Sequence, residues 1–406
     1  MSEDINEDTV VIGHGMAGQR FLASLVSAGY AGRITVIGAE PEPAYNRILL
    51  SPLLAGEIAG EQLPLAGAEW YRRHGVRCHN GDGVHRIDRA GQRVITRDGH
   101  AFRYDRLVIA TGSRPAPLGI EGEDLDGVTS FRNLADVARL DRAASGGGDA
   151  VVIGGGFLGL EAAEGLRKQG MTVSLAHRGP CPLTRQLDPV AGGMLADTLR
   201  ARGLDLVLNA RPARLLGEHR VAGLELDDGR TLPADLVVIA AGIIPNSELG
   251  ETAGLACGRG IQVNDCLTTS DPRIHAIGEC CEFRGQTYGL VEPVNRQADL
   301  LARRFAGHDS QYCEAPLATR LKISGIEVFS CGETTDADGT TECIVYHDRQ
   351  RGEYRRLMLR DNRLVGAILY GDASMGPWLF EHLLKGTDMT EWRPLLAFGE
   401  AHCDAA

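Results

Sequence analysis

Apolar positions along the chain gather into short runs closed by glycine, and two of these groups repeat one design. The first, TVVIGHGMAGQRFLASLVSAGYAGRITVIGAE, covers residues 9–40, and the second, DAVVIGGGFLGLEAAEGLRKQGMTVSLAHR, covers 149–178. Each reads as a β-branched strand, a glycine turn, a stretch with apolar residues at helical spacing, a glycine stop and a second β-rich strand. That is a βαβ unit, whose parallel strands call for an α/β fold. The run ASGGGD at 144–149 reads as a flexible entry to the second unit. From about residue 313 the pattern changes. ATRLKISGIEVFSCGE, TECIVYHD, YRRLMLRDN and RLVGAILYG read as alternating strands with polar turns, and a helix is expected around 375–384. This predicts a small α+β domain with an antiparallel sheet.

In the first unit Gly13 permits a tight turn, Gly15 lets a pyrophosphate approach the backbone, and Gly18 lets helix and strand pack closely. Met16 and Ala17 lie within the same motif. Glu40 follows about twenty residues on, where a carboxylate accepts from a ribose hydroxyl pair. The second unit repeats the turn as Gly154-Gly155-Gly156-Phe157-Leu158-Gly159. Aligning TVIGAE with TVSLAH puts His177 where Glu40 stands, with Arg178 next. A carboxylate there repels a 2′-phosphate, whereas His and Arg remove the repulsion and add a cation, so charge alone leans to NADPH over NADH. An Arg178 turned to solvent leaves that choice open.

Composition adds exclusions. With 406 residues, 43% hydrophobic and 24% charged, the chain is an ordinary globular protein of two or three domains. A net charge of −12 argues against nucleic acid, which wants a basic face, but not against small anions at helix N-termini. No apolar run reaches the about 18 residues of a membrane span. The opening MSEDINEDT lacks a basic or apolar leader. No membrane association and a cytoplasmic location are therefore expected. The ten cysteines (78, 181, 257, 266, 280, 281, 313, 331, 343 and 403) contain no C-x-x-C pair and no zinc or iron–sulfur spacing. No metal is expected, and the cysteines are read as reduced, small core residues, with adjacent Cys280 and Cys281 the pair to watch.

Two further segments repeat each other: LVIATGSRP at 107–115 and LVVIAAGIIPN at 236–246. Each is a buried strand closing on a glycine turn, Ala110-Thr111-Gly112 with Arg114 in one and Ala241-Gly242 in the other. TSDPRIHAIGECCE follows at 269–282. This set, in this order, resembles the FAD-dependent pyridine nucleotide-disulfide oxidoreductase superfamily. The resemblance implies a glutathione-reductase-like α/β fold: two Rossmann-like dinucleotide-binding domains plus a small C-terminal α+β domain. Residues 1–115 would form the first part of the FAD domain, 116–242 the NAD(P)H domain, 243–311 the FAD return and 312–406 an interface domain. Gly278-Glu279 stands where the superfamily usually has Gly-Asp, whose acid bonds the flavin ribityl chain. AYNRILLSPLLAGE, RQLDPVAGGML, YGLVEPVNRQA and LKISGIEVFSCGE are similar to the flavin portion of assimilatory NAD(P)H nitrite reductases, and equally to the electron-transfer subunits of assimilatory nitrate reductases. In that family Glu279 is the expected variant, His177 is common, and NADH is favoured. Nitrite reductases continue into iron–sulfur and sirohaem domains whose clustered cysteines are missing here, so the chain resembles a free-standing flavin module.

With FAD and a reduced nicotinamide carrying the chemistry, the protein has only to bind, orient and tune them, and no proton-transfer triad is expected. Arg47 is expected to reach the flavin or its pyrophosphate as a fixed cation. In ferredoxin- and rubredoxin-reductase relatives a lysine shortly after this arginine pairs with the glutamate that follows the NAD motif. Here that glutamate is Glu161, but Ser51-Pro52 stand in the lysine's place. Glu161 then pairs with Arg47 or bonds the nicotinamide amide directly. Glu292-Pro293-Val294 would open a helix whose N–H groups face the flavin pyrimidine. A redox cysteine pair, or one cysteine soon after the Glu40 strand, is missing, so electrons pass to an external redox protein. The expected acceptor is ferredoxin-like or a nitrate or nitrite reductase subunit. The rivals are a ferredoxin or rubredoxin reductase of an oxygenase system and a redox-sensing flavoprotein. Arg349, Arg351, Arg355, Arg356, Arg360 and Arg363 crowd into 15 positions. They read as solvated faces of a hairpin, with docking of an acidic partner as the alternative.

Overall fold

The computed structural model describes residues 7–321, 323–336 and 339–403. Residues 1–6 of the acidic opening, and Lys322 of the LKISGIEVFSCGE run, lie outside them. The described residues fall into two compact units. One is drawn from Met1–Leu49, Ala59–Arg114 and Ile243–Glu314, the other from Leu50–Ile58, Pro115–Gly242 and Ala315–Ala406.

The first unit is built on five parallel strands in the order Ile274–Ala276, Arg106–Ile109, Asp8–Ile12, Arg33–Gly38 and Val76–Asn80. The central run is apolar without alternation because both its faces are covered. Val11 packs with Phe21, Leu22 and Leu25 of helix Met16–Ser27, while Val10 and Ile12 join Val94 and Tyr104 on the other side. Helix Val291–Phe305 packs beside helix Met16–Ser27, with the Phe21 and Phe305 rings edge to face at 5.4 Å. Cys280 and Cys281 are fully buried here, and burial pushes both thiols up, which makes them poor nucleophiles.

The second unit repeats the plan: Asp205–Leu208, Thr172–His177, Asp149–Ile153, Leu236–Ile239 and Val128–Ser130, all parallel. In both sheets the strand before the glycine turn is central, so the turn sits at the carboxyl edge, where open α/β sheets bind ligands. The C-terminal region adds a five-stranded antiparallel sheet in the order Ala318–Arg320, Val328–Gly332, Arg363–Tyr370, Glu353–Arg360 and Glu342–Asp348. Helix Gly376–Lys385 packs against it, which gives the expected α+β arrangement. Among the described residues no helix is long and apolar enough to cross a membrane.

Two expectations are corrected. The arginine run is not a free basic strip, and it is solvated only in part: Arg349, Arg351 and Arg363 are exposed, whereas Arg355 is buried and Arg356 and Arg360 are half-buried. Period-2 alternation turns Tyr354 and Arg356 toward Asp188 and Arg355 toward Asp372, Glu353 and the Ala397 carbonyl. Arg360 pairs with Glu333, Arg351 with Asp348, and Arg363 donates to the Gly386 carbonyl. These internal acids neutralise most of the strip. The cysteines, too, are not uniformly core residues. Cys78, Cys313 and Cys343 are exposed, whereas Cys181, Cys280, Cys281, Cys331 and Cys403 are buried.

His275, on strand Ile274–Ala276, sets a pH dependence. Burial, and then repulsion from Arg106, lower its pKa from 6.5 to about 4. The unfolded chain therefore takes up a proton first, and stability falls as pH drops through 6.5 toward 4. After discounting for partial exposure, wild type should lose about 1 kcal/mol more than His275→Gln between about pH 7 and about pH 5. Urea titrations at both pH values check this, and identical losses would reject it.

Candidate functional site

In the first unit, packing explains why two of the three glycines are glycine. A Cβ on Gly13 (φ +112°) would lie 2.1 Å from the Ala110 carbonyl oxygen, and one on Gly18 would lie 2.1 Å from the Gly13 carbonyl oxygen. Gly15 differs: a Cβ there would meet nothing within 4 Å, and its backbone is extended. It is the N-cap of helix Met16–Ser27, so Met16 and Ala17 follow at the positive end of the helix dipole. Open space over a helix N-terminus is the cradle a dinucleotide pyrophosphate fits.

Around that turn the fold gathers most of the other residues expected in the first site. Gly278 (φ +82°) packs on Ala17, its N–H donates to Gln297 Oε1 at 2.8 Å, and Val294 lies beside it. Glu292, Pro293 and Val294 stand in the first turn of helix Val291–Phe305. Ser113 donates to Glu279 Oε2 at 2.7 Å, and Gly112 lies against the same carboxylate. Thr111 and Arg114 bond Asn246 and the Pro245 carbonyl, which closes the Ala110–Gly112 turn on the returning chain. At the end of strand Arg33–Gly38, Glu40 accepts from Tyr45 Oη at 2.6 Å and pairs with Arg47, whose guanidinium lies 4.9 Å from the Tyr45 ring. A carboxylate has about four lone-pair directions, so acceptor capacity remains for ribose hydroxyls.

The second unit shows the same division of labour. A Cβ on Gly154 (φ +127°) would lie 2.3 Å from the Ala240 oxygen, and one on Gly159 would lie 1.9 Å from the Gly154 oxygen. Gly156, the N-cap ahead of Phe157 and Leu158, faces open space. Ala241 and Gly242 follow strand Leu236–Ile239 at the same edge. The Gly155 N–H donates to His177 Nδ1 at 3.0 Å, so that nitrogen holds a lone pair. Burial, and then Arg178, lower the His177 pKa, which keeps the ring uncharged near neutrality. This sharpens the charge argument: the cation at this edge is Arg178, which is exposed, and not His177.

Glu161 lies one turn into helix Phe157–Lys168, and Ser51 donates to its Oε2 at 2.5 Å. The short helix Leu50–Leu54 that carries Ser51 seats on this helix. Gly165 leaves room for Leu54, and Gln169 bonds the Leu54 carbonyl. A buried hydroxyl thus bonds the glutamate for which the family resemblance implied a lysine partner.

Sequence reasoning missed His14, which lies inside the first glycine motif. It is buried, bridging Asn80 Oδ1 and Tyr71 Oη at 2.8 and 3.0 Å, with Tyr71 donating on to Gln19. Burial lowers its pKa. A polar residue between two motif glycines was the available signal. The roles of Ser51, Gln297 and Asn246 left no pattern in the chain.

Residues 7–298 match the family model described as pyridine nucleotide-disulphide oxidoreductase, and residues 318–387 match the rubredoxin NAD+ reductase C-terminal domain. The chain is 42% identical over 384 residues to a nitrite reductase [NAD(P)H] of Bacillus subtilis strain 168, covering 94% of this chain and 48% of that protein. It is 39% identical over 383 residues to the assimilatory nitrate reductase electron transfer subunit of the same organism, covering 94% and 50%. The chain therefore spans about half the length of these curated relatives. Among solved structures, the ferredoxin reductase of the CYP199A2 system from Rhodopseudomonas palustris superposes with a TM-score of 0.88 at 28% identity, covering 99% of this chain and all of that one.

Proposed function

The chain belongs to the pyridine nucleotide-disulphide oxidoreductase family, as an NAD(P)H-dependent FAD enzyme, and from that premise we propose that it passes electrons to a separate redox protein in nitrate or nitrite assimilation. The observation that carries the reading is the pair of open helix N-termini at Gly15 and Gly156, each wedged in place by two glycines that admit no side chain. Bound together, the two cofactors supply transfer of two electrons from nicotinamide to flavin.

The residues divide the remaining work. Gly13, Gly15 and Gly18 with Met16 and Ala17 hold the FAD pyrophosphate, and Glu40 holds the ribose. Arg47 fixes Glu40 from the other side. Gly278 and Glu279, steadied by Ser113 and Gln297, hold the ribityl chain, with Ala110, Thr111, Gly112 and Arg114 closing the same wall. The first turn of helix Val291–Phe305 favours negative charge on the reduced ring. Gly154, Gly156, Phe157, Leu158 and Gly159 take the nicotinamide nucleotide, flanked by Ala241 and Gly242. Glu161, held by Ser51, orients the nicotinamide amide. Buried cysteines held as thiols, Cys280 and Cys281 among them, fit the reducing cytoplasm, where we place the protein.

Anaerobic rapid mixing tests this. NADH should bleach the flavin band, and a ferredoxin-like acceptor should reoxidise it. Failure of both NADH and NADPH to bleach it would reject the reading. The match to a whole ferredoxin reductase favours a second acceptor class, the ferredoxin of an oxygenase system, and an acceptor screen separates the two.

Nucleotide choice follows from the second unit's edge. Restoring a carboxylate with His177→Asp should lower kcat/KM for NADPH at least about tenfold, roughly 1.4 kcal/mol, and spare NADH. Steady-state kinetics with both nucleotides check it. An equal effect on the two would show that residue 177 does not face the 2′ position.

A further inference from the structure

We propose that His79, Asp82 and His100 form a binding site for one divalent transition-metal ion of the zinc class, outside the dinucleotide sites. His79 Nε2 lies 3.0 Å and His100 Nδ1 3.1 Å from the same oxygen, Asp82 Oδ2, and the three ligand atoms fall within 4.8 Å of one another. Zinc bonds of about 2.0–2.2 Å at tetrahedral angles place ligand atoms about 3.3 Å apart. The two His–Asp separations are already within a few tenths of an ångström of that, and the two imidazole nitrogens have at most about 1.5 Å to close.

Three separate segments are held to this arrangement. His79 comes from edge strand Val76–Asn80, and Asp82 follows a turn at Gly81 (φ +84°). His100 closes the turn between strands Arg93–Thr96 and Ala101–Arg103, its N–H donating to Thr96 Oγ1 at 3.1 Å. The Asp82 carboxylate is 6% exposed, and its other oxygen accepts from the Asp98 N–H at 3.1 Å. This is the outer-shell bond that fixes a ligating carboxylate and leaves Oδ2 for the ion. The side chains of His79 and His100 are 27% and 59% exposed, which gives an ion access and leaves a position for water.

A structural role for Asp82 needs one such donor. Two imidazoles on one oxygen make the donor set that zinc, nickel and cobalt prefer. On binding, the ion displaces any imidazole proton facing Oδ2 to solvent. The expectation of no metal came from spacing in sequence, and these ligands are assembled by the fold.

The test titrates Zn2+ into flavin-replete protein by calorimetry, with zinc-edge X-ray absorption on the product. One equivalent should bind in wild type. Binding should weaken by more than about 100-fold in His100→Ala and Asp82→Asn, beyond what loss of an outer-shell partner costs. The edge spectrum should show nitrogen and oxygen at about 2.0–2.1 Å and no sulfur at about 2.3 Å. Unchanged uptake in His79→Ala/His100→Ala, a sulfur shell from exposed Cys78, Cys313 or Cys343, or no binding by wild type would each overturn the proposal. Flavin content and melting temperature confirm that each variant is folded. Should the double variant fail to fold, His100→Gln at the more exposed ligand gives the same discrimination.

Discussion

Replacing Gly15 by valine should give a folded protein that emerges without FAD. The backbone there is extended (φ −103°, ψ −161°), which a β-branched residue adopts, and a Cβ meets no atom within 4 Å. The apoprotein thus accommodates the side chain, which fills the space a pyrophosphate needs beside the backbone. A loss of at least about 1,000-fold in FAD affinity, roughly 4 kcal/mol, is expected. Gly156→Val should do the reverse: normal flavin content, with KM for the nicotinamide nucleotide raised at least about 30-fold, roughly 2 kcal/mol. Its backbone is likewise extended, and its Cβ likewise meets open space. Flavin absorbance of the purified variants, with circular dichroism to confirm folding, reads the outcome. A Gly15→Val protein with full flavin content would sink the assignment of that turn.

The second large effect is on stability. Asp188 caps helix Pro189–Ala201 through the Ala191 N–H at 3.0 Å. Its Oδ2 accepts from Tyr354 Oη at 2.5 Å and Arg356 Nη1 at 3.2 Å. Asp188 is 3% exposed, so Asp188→Ala strands a hydroxyl and a helix N–H away from water and leaves the partly buried Arg356 without its carboxylate. Removing one partner of a buried pair costs about 3–5 kcal/mol, and for a unit of this size that lowers Tm by about 10 °C. Tyr354→Phe, which leaves the ion pair in place, should cost only about 1 kcal/mol. Calorimetric melts compare them. If Asp188→Ala melts no lower than Tyr354→Phe, the cluster is not a tie within this unit.

The architecture was legible because it is written in local periodicity. Unbroken apolar runs such as VVI mark strands covered on both faces, glycine turns mark the carboxyl edges, and alternation from residue 318 onward marks the antiparallel sheet. Charge was read less well. Six arginines close in sequence were read as solvated hairpin faces or a docking strip, yet Arg355 and Arg356, on opposite faces of one strand, go to different acids. Contacts between distant segments were invisible: His14 with Asn80 and Tyr71, and Ser51 with Glu161. Sequence spacing holds no record of which loops a parallel sheet brings to one edge.

The central claim is that electrons enter and leave this chain through flavin, with no thiol taking part. Its most direct measurement is an anaerobic titration of flavin-replete protein with NADH, counting free thiols before and after. The account predicts an end point of one NADH per flavin and an unchanged thiol count, since buried Cys280 and Cys281 are held as unreactive thiols. Uptake of a second equivalent together with the appearance of two new titratable thiols would contradict it.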